Sequence, residues 1–344
     1  MTDPTLRRIV FRADGNPQIG LGHVMRCLAI AEMIGEADVW FAIQQPADAV
    51  RQLLRDAGSA VIALPATTDY VADARHFSEV LSGDELVVLD GYQFDATYQR
   101  AILQQCYKLI SIDDLAVWHQ YANVVINHGG NAHPSMYQAE PYTQFRLGTD
   151  YALLRKPFLE AGRHRATQLP DRFEPRRVLV NLGGADPGNV SLRVVHSLLY
   201  QPPVDEITVV LGAANPYGAH FEPLIRLGVR VLRNLSPDAM VAAIRACDLA
   251  VVSCSTISYE VATVGRPFVG ILTADNQLGL RGFYRDNQLA LHVLDANFAD
   301  AKLRTVLTAS VEVVTYSLHQ QRRFFDGRSG ERIAQVFHQL RTDA

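Results

Sequence analysis

The sequence has 344 residues, of which 32 are Lys or Arg and 36 are Asp or Glu, with a formal net charge of −4. This length favours two domains, and the acidic balance without a basic stripe argues against a nucleic-acid binder. No window approaches the ~18 apolar residues of a membrane span, and the four scattered cysteines form no zinc or disulfide pattern. We therefore expect a cytoplasmic protein and a monomer, without metal or cofactor.

Short β-branched runs alternate with helical patterns along the first half of the chain. We predict strands and helices at the following ranges: strands at 9–13, 37–43, 85–90, 108–113 and 123–127, and helices at 23–34, 48–58 and 96–107. Such alternation is typical of a parallel sheet covered by helices on both faces.

The alternation stops at a polar, proline-containing segment near 160–176 and then restarts. We interpret this segment as a linker between an N-terminal domain at 1–160 and a C-terminal domain at 175–344. Further strands and helices are predicted beyond it: strands at 176–184, 206–214, 229–235, 249–253 and 267–272, and helices at 189–200, 236–247, 256–264 and 276–287.

The predicted architecture is therefore α/β, with two doubly wound Rossmann-like domains that face a central cleft. The closing segment, about 297–341, is mostly helical and can pack back on either domain. Because ligands of doubly wound sheets bind at the carboxyl ends of the strands, we expect the chemistry in the loops that follow them.

The loop NPQIGLGH, between the first strand and the first helix, carries the most informative pattern. Gly20 and Gly22 let a ligand approach the backbone, and the helix N-terminus offers free N–H groups to a phosphate. Met25 stands where a dinucleotide-binding G-x-G-x-x-G would need glycine. The positive helix end disfavours imidazolium at His23, so we expect a neutral imidazole that can act as a general base. The alternative is a histidine that only packs at the helix start.

Two loops of the second half have related features. Gly183 and Gly184 follow a predicted strand, a pattern that on its own indicates an ordinary turn. After another buried strand, Ser255 or Thr256 can cap the next helix and leave its N-terminus open to a phosphate.

Three further polar residues are candidates for the same ligand. Glu260, about one turn into that helix, can accept hydrogen bonds from a ribose diol, as acidic residues of dinucleotide sites do, or can simply face solvent. Asn276 and Gln277 begin the next predicted helix, where they can reach the ligand or act only as caps.

Several of these motifs occur together in one known family. FRADGNPQIGLGHVMRCLAIAE resembles the N-terminal signature of the pseudaminic acid pathway hydrolases, which convert UDP-2,4-diacetamido-2,4,6-trideoxy-β-L-altropyranose to UDP and the free sugar. The same order continues with LDGY, IDD, YALLRKPF, NLGGADP, SCSTISYEVATVGRPF and ADNQ, over about residues 9 to 290. The G-x-G-H block is the most specific part. The C-terminal block is also similar to GT-B glycosyltransferases such as the peptidoglycan N-acetylglucosaminyltransferase.

The resemblance implies a GT-B-like fold and a hydrolysis in which water attacks C1 with inversion and displaces UDP. Such a reaction belongs to nonulosonic acid synthesis for bacterial surface polysaccharide and flagellin glycosylation. His23 matches the family's catalytic histidine, and Tyr92 matches a tyrosine near the sugar. UDP is expected mainly on the C-terminal domain, with Glu260 at the ribose and residues 253–256 near the diphosphate.

Other residues are left without a role by the resemblance. Asp14 stands in the signature and is expected in the substrate site, although neither it nor Arg12 has an assigned function. His128 and His133 lie in a variable segment and match no family residue.

Three alternatives remain open at this point. In a glycosyltransferase of the same fold, His23 would deprotonate an acceptor hydroxyl instead of water. A UDP-sugar 2-epimerase would use acidic residues, for which Asp90, Asp113 and Asp114 are available. A sensor that does not turn over would keep Glu260 and the glycines but would have little need for His23.

Overall fold

The computed structural model describes residues 7–15, 20–35, 37–165, 171–184, 186–212 and 215–342. The chain divides into two compact units, one formed by Met1–Lys156 with Ser329–Ala344 and the other by Pro157–Arg328. The chain thus passes from the first unit into the second and back. The boundaries expected from the sequence, 1–160 and 175–344, stay predictions, and this division differs from them mainly in placing 329–344 with the first unit.

The first unit contains a parallel sheet of seven strands among its described residues. In chain order the strands are β1 (Ile9–Ala13), β2 (Val39–Gln44), β3 (Ala60–Leu64), β4 (Leu86–Asp90), β5 (Lys108–Ile112), β6 (Val124–Asn127) and β7 (Gln144–Leu147). They are arranged in space as β3-β2-β1-β4-β5-β6-β7. Because β4 returns to the far side of β1, the direction of winding reverses between these two central strands.

Helices cover this sheet. They are α1 (Gly22–Ile34), α2 (Asp48–Asp56), α3 (Tyr70–Ser78) and α4 (Ala96–Leu103), joined from the far end of the chain by α13 (Ser329–Thr342). The apolar residues of α1 recur at helical spacing, so Cys27 and Leu28 fall on its buried face. Ile333 and Phe337 of α13 belong to the same core cluster, and α13 therefore packs on the helix that carries His23.

The second unit repeats the architecture with a six-stranded parallel sheet in its described part. Its strands are β8 (Arg177–Asn181), β9 (Glu206–Leu211), β10 (Arg230–Arg233), β11 (Leu249–Ser253), β12 (Phe268–Leu272) and β13 (His292–Asp295), in the order β10-β9-β8-β11-β12-β13. The remaining helices are α5 (Lys156–Arg163), which begins in the first unit, α6 (Val190–Leu198), α7 (Glu222–Ile225), α8 (Pro237–Ala246), α9 (Thr256–Val264), α10 (Leu278–Asp286), α11 (Asp300–Arg304) and α12 (Val311–Phe324). Here the winding reverses between β8 and β11.

The α/β class and the two doubly wound sheets predicted from the sequence are confirmed. The sequence analysis did not identify the strands at 60–64, 144–147 and 292–295, or the helices at 70–78, 156–163 and 222–225. All three missed strands lie at sheet edges, where burial is partial and the apolar pattern is correspondingly weak. Within the described ranges, no helix has the length and apolar character needed to cross a bilayer.

Candidate active site

His23 lies at the start of α1, where the loop from β1 meets the helix. Gly20 adopts a φ of +75°, a conformation that glycine tolerates at little cost. Gly22 is the first residue of the helix, and Leu21 before it supplies no side-chain cap. Residues 16–19 lie outside the described part of the chain, so the predicted approach of a ligand to this helix N-terminus stays a prediction.

The imidazole of His23 pairs with Asp90, the last residue of β4. His23 Nδ1 lies 2.7 Å from Asp90 Oδ1, and the Asp90 carboxylate is completely buried while the imidazole keeps some exposure. The two residues are 67 positions apart, but β1 and β4 are paired strands, so the loop after one begins beside the end of the other. The pair thus stands where the sheet reverses its winding, the usual position of ligand sites in doubly wound sheets.

Both carboxylate oxygens of Asp90 accept further hydrogen bonds. Arg26 donates from Nε to Oδ2 at 2.9 Å and from Nη2 to Oδ1, and Cys27 Sγ lies 3.6 Å from Oδ2. Burial alone would favour the neutral acid, but the charge and hydrogen bonds of Arg26 and the contact with His23 outweigh it and lower the pKa of Asp90 to about 2. An ionised carboxylate only accepts, so the 2.7 Å contact assigns the proton to Nδ1 of His23, and in the neutral ring Nε2 then keeps its lone pair. Arg26 Nη2 lies 3.2 Å from the same nitrogen, a longer contact between two donors.

Arg26 also links Asp90 to a second carboxylate. Its Nη1 donates to Asp114 Oδ2 at 2.9 Å, from the loop after β5. Asp90 and Asp114 thus share one guanidinium, and Arg26 ties the end of β4 to the loop after β5.

His128 extends this row of strand ends to β6. Its Nδ1 accepts a hydrogen bond from the backbone N–H of Leu153 at 3.3 Å. Burial and then the positive charge of Arg26 lower the pKa of His128 to about 4, so the ring is neutral near pH 7. His133, the other histidine of this segment, instead accepts from the N–H of Ser135 and caps a short turn.

Tyr92 lies beside His23, and its expected place near the sugar stays a prediction. The two rings meet edge to face, with centroids 5.0 Å apart, and Tyr92 remains largely exposed. It follows β4 by two residues, so the same strand end places both Asp90 and Tyr92 against the imidazole.

Asp14 is part of a buried ion-pair network in this unit. Arg12, without exposure, donates to both oxygens of Asp14 at 2.6 and 2.9 Å and to both oxygens of Asp73 at 2.9 and 3.1 Å. Asp14 further accepts from the backbone N–H of Gln44 and from the side chain of Gln93. Because its oxygens are occupied, the contacts favour Asp14 as a support of the loop, and its expected contact with substrate stays a prediction.

In the second unit, the glycine pair follows β8. Gly183 has a φ of +92°, and its N–H donates to the Asn181 side chain at 2.9 Å. A Cβ on Gly212 would lie 2.4 Å from the Cα and O of Gly184, so the ends of β8 and β9 approach too closely for side chains. Asp186 accepts from the first amides of α6, and this helix N-terminus is therefore closed by the protein's own carboxylate.

The N-terminus of α9, by contrast, has no side-chain cap. Ser255 occupies the cap position, but its hydroxyl pairs with Ser253 Oγ at 2.7 Å instead of with the helix amides. Thr256 is exposed, and Glu260, one turn further, is half-buried and holds other contacts. A Cβ on Gly183 would be 3.7 Å from Ser253 Oγ, which places the glycine turn beside this open helix end.

The last two candidates are less informative. Gln277 Oε1 accepts from the Thr273 N–H at 2.9 Å, so this side chain folds back on its own loop. The side chain of Asn276 lies outside the described part of the structure. Across the described residues, no group of three or more His, Cys, Asp or Glu side chains is arranged to hold a metal ion.

The sequence analysis missed Arg26 and the pairing of Asp90 with His23. Asp90 was considered only as an acid of an epimerase, and Arg26 was not considered at all. The available signal was the strand order: in a doubly wound sheet the first strand and the strand after the reversal are neighbours, which brings 90 next to 23.

Comparison with known proteins gives distant relatives. No family model matches the chain. It is 24% identical over 274 residues to an uncharacterized protein, MJ1062, of Methanocaldococcus jannaschii, covering 76% of the chain but only 55% of that relative. It is 23% identical to a UDP-2,4-diacetamido-2,4,6-trideoxy-beta-L-altropyranose hydrolase of Campylobacter jejuni, covering 78% of the chain and 93% of the relative. It is 24% identical to the spore coat polysaccharide biosynthesis protein SpsG of Bacillus subtilis, covering 81% of each.

Solved structures match over nearly the whole chain. MurG of Acinetobacter baumannii has a TM-score of 0.65 at 14% identity, covering 97% of the chain and 99% of its own. The calicheamicin glycosyltransferase CalG4 has a TM-score of 0.64 at 12% identity, covering 97% and 98%. HepE of Anabaena, in complex with UDP-glucose, has a TM-score of 0.54 at 12% identity, covering 96% and 99%. The chain has a GT-B glycosyltransferase-like fold made of two Rossmann-like domains.

Proposed function

We propose that the protein is an enzyme that processes a UDP-sugar, and that it hydrolyses UDP-2,4-diacetamido-2,4,6-trideoxy-β-L-altropyranose to UDP and 2,4-diacetamido-2,4,6-trideoxy-L-altrose. The observation that carries the proposal is the contact of 2.7 Å between His23 and the buried, ionised Asp90. The Campylobacter relative bears the name of this hydrolase, and the fold is shared with the calicheamicin glycosyltransferase CalG4.

In this reaction His23 acts as the general base. Asp90 holds the proton on Nδ1, and Nε2 removes a proton from water as the water oxygen bonds to C1 of the sugar. The bond between C1 and the phosphate oxygen breaks, and UDP leaves with that electron pair. Attack opposite the leaving group inverts C1. A positioned base is typically worth ~10²–10⁴ in rate, and the ionised Asp90 stabilises the imidazolium.

The departing diphosphate needs positive potential. We infer that helix and backbone N–H groups of the second unit bind the diphosphate of UDP, at the uncapped N-terminus of α9 at Ser255 and Thr256 and at the backbone of Gly183 and Gly184. Glu260 is proposed to bind the ribose. The closed N-terminus of α6 makes α9 the better candidate of the two helices for a phosphate.

A glycosyltransferase is the second candidate, because the matched structures include glycosyltransferases. The same His23–Asp90 pair would then deprotonate an acceptor hydroxyl. A 2-epimerase receives less support, since Asp90 and Asp114 are ion-paired to Arg26 and Asp113 holds its own loop.

The test is UDP release in ¹⁸O-labelled water, without acceptor or added metal. Hydrolysis predicts rapid release, with label on C1 of the inverted sugar at early times. His23→Ala is expected to bind UDP as wild type does and to lose most of the turnover. No release without an acceptor, but release with one, would favour transfer. Stoichiometric binding without either would leave a sensor.

A further inference from the structure

The turn that follows β4 presents Tyr92 to His23. The N–H of Phe94 donates to the carbonyl of Gly91 at 3.4 Å, so Tyr92 and Gln93 are the two central residues of this turn. Tyr92 is exposed, and its ring meets the imidazole edge to face. An exposed side chain on a short turn keeps one position only when the turn itself is held. The contact with His23 therefore depends on what anchors the turn.

Phe94 anchors the far end of the turn in the core. Its ring is buried, and the guanidinium carbon of Arg12 lies over it, 5.1 Å from the ring centroid. Arg12 is itself fixed by hydrogen bonds to the carboxylates of Asp14 and Asp73. This end of the turn thus rests on the buried ion-pair network.

Gln93 anchors the middle of the turn on the same network. Its Nε2 donates to Asp14 Oδ2 at 3.4 Å. Ala13 of β1 is paired with Asp90 of β4, so Asp14 and Gly91, the next residues of the two strands, leave the sheet side by side. The side chain of Gln93 therefore crosses from the end of one strand to the end of the other.

Gly91 leaves the space that this crossing needs. A Cβ on Gly91 would lie 2.7 Å from Nε2 and 2.8 Å from Oε1 of Gln93, closer than these atoms can approach. The φ of Gly91 lies outside the left-handed region, so space and not backbone conformation requires glycine here. An alanine at this position would fit the backbone but would displace the amide of Gln93 from Asp14.

We propose that Gln93 is a positioning residue, which ties the turn to Asp14 and thereby fixes Tyr92 against His23, and that Gly91 provides the room for it. This rests on the proposed function, in which His23 removes the proton from water. Asp14 then acts on the reaction through the turn.

The test is a double-mutant cycle of Gly91→Ala and Gln93→Ala, followed by UDP release from the UDP-linked diacetamido-trideoxy sugar. A displacement of about 1 Å near the reacting groups can cost ~10²-fold in rate, so each single variant is expected to lower kcat by about 10-fold or more, with UDP affinity unchanged. Because Gly91→Ala acts by displacing Gln93, the double variant should be no slower than Gln93→Ala. Gln52→Ala removes another glutamine that donates to a carboxylate, that of Asp56, and should change nothing.

Trp118 supplies a readout that does not depend on turnover. Its Nε1–H donates to the carbonyl of Tyr92 at 3.3 Å, so the indole contacts the same turn. Trp40 is the other tryptophan of the chain, and Trp40→Phe leaves only the emission of Trp118. In this background, Gly91→Ala and Gln93→Ala should each raise the acrylamide quenching of Trp118 in the folded protein. A variant that is only less stable would show wild-type quenching below its unfolding transition.

Three outcomes would overturn the inference. Losses of kcat that multiply in the double variant would show that Gly91 and Gln93 act separately. Wild-type kcat in Gln93→Ala would remove the positioning role, and a lower kcat with unchanged quenching of Trp118 would show that the turn had not moved. If the wild-type protein releases no UDP from a sugar nucleotide, the proposed function fails, whereas the quenching cycle still decides whether Gln93 holds the turn.

Discussion

Asp90→Asn keeps the shape of the side chain and replaces one of its oxygens by an N–H donor. The groups around Asp90 are His23, two nitrogens of Arg26 and Cys27. Because both oxygens of Asp90 face donors, the N–H₂ group of the new asparagine would face a donor in either orientation of its amide. Arg26 also keeps only Asp114 as a counter-charge. Breaking a buried ion pair costs about 3–5 kcal/mol, and because one carboxylate remains we expect the free energy of unfolding to fall by about 3 kcal/mol.

The same substitution should reduce turnover more than stability explains. Without an ionised acceptor, the proton of His23 is no longer held on Nδ1, and the tautomer that carries it on Nε2 cannot accept a proton from water. We expect kcat for UDP release to fall by ~10²–10⁴. The assay is run at a temperature at which urea titration shows the variant to be folded.

Two further variants separate the effects. Asp95 caps α4 by accepting from the N–H of Tyr98 at 2.8 Å, and Asn is an equally good cap, so Asp95→Asn should leave both quantities unchanged. Asp90→Asn with Arg26→Gln removes the two buried charges but leaves Asp114 without its cation, so it should recover part of the stability without recovering turnover. Wild-type turnover in Asp90→Asn would refute the general-base assignment, and wild-type stability would refute the ion-pair reasoning.

Three other predictions concern stability. The pKa of His128 is near 6.5 in the unfolded chain and about 4 in the folded one, so between these pH values the unfolded chain binds one more proton. The free energy of unfolding should therefore fall by up to about 3 kcal/mol as the pH drops from 6.5 to 4. His128→Gln should remove this pH dependence in urea titrations. Gly183→Ala should cost about 1–2 kcal/mol because of its positive φ, whereas Gly184→Ala, with open space at its Cβ, should cost less; equal costs by calorimetric unfolding would contradict this. Arg12→Met should cost about 3–5 kcal/mol by leaving buried carboxylates unpaired, and adding Asp73→Asn should recover part of it; a more stable single variant would contradict the account.

The central strands could be predicted because burial on both faces makes their sequences continuously apolar, as in LVVLD of β4. Three of the four edge strands could not, whereas β10 was predicted at 229–235. AVIAL of β3 is only partly buried, and QFRL of β7 is exposed or half-exposed throughout, so neither needs a run that stands out from a loop. Such strands are held by backbone hydrogen bonds to the neighbouring strand, and these bonds require no particular side chains in the local sequence.

For the site, the sequence indicated single residues but not their partners. His23 and Gly20 stood in a recognisable loop, whereas the contact of Asp90 with His23 follows only from the pairing of β1 with β4. Arg12 was unexplained because an arginine inside an apolar strand is intelligible only with both carboxylates placed around it. Long-range ion pairs are set by topology, and periodicity carries no information about them.

The return of α13 to the first unit bears on how the protein is made. Residues 157–328 form one continuous unit that can fold as soon as it leaves the ribosome. The first unit has no such freedom, because α1 packs against Ile333 and Phe337. Until residues 329–342 have been synthesised, the helix that carries His23 lacks part of its packing surface. The second unit can therefore be folded while the first is still incomplete. A chaperone that shields apolar surface on nascent chains would therefore meet the helix bearing His23 uncovered for the time needed to translate the whole second unit.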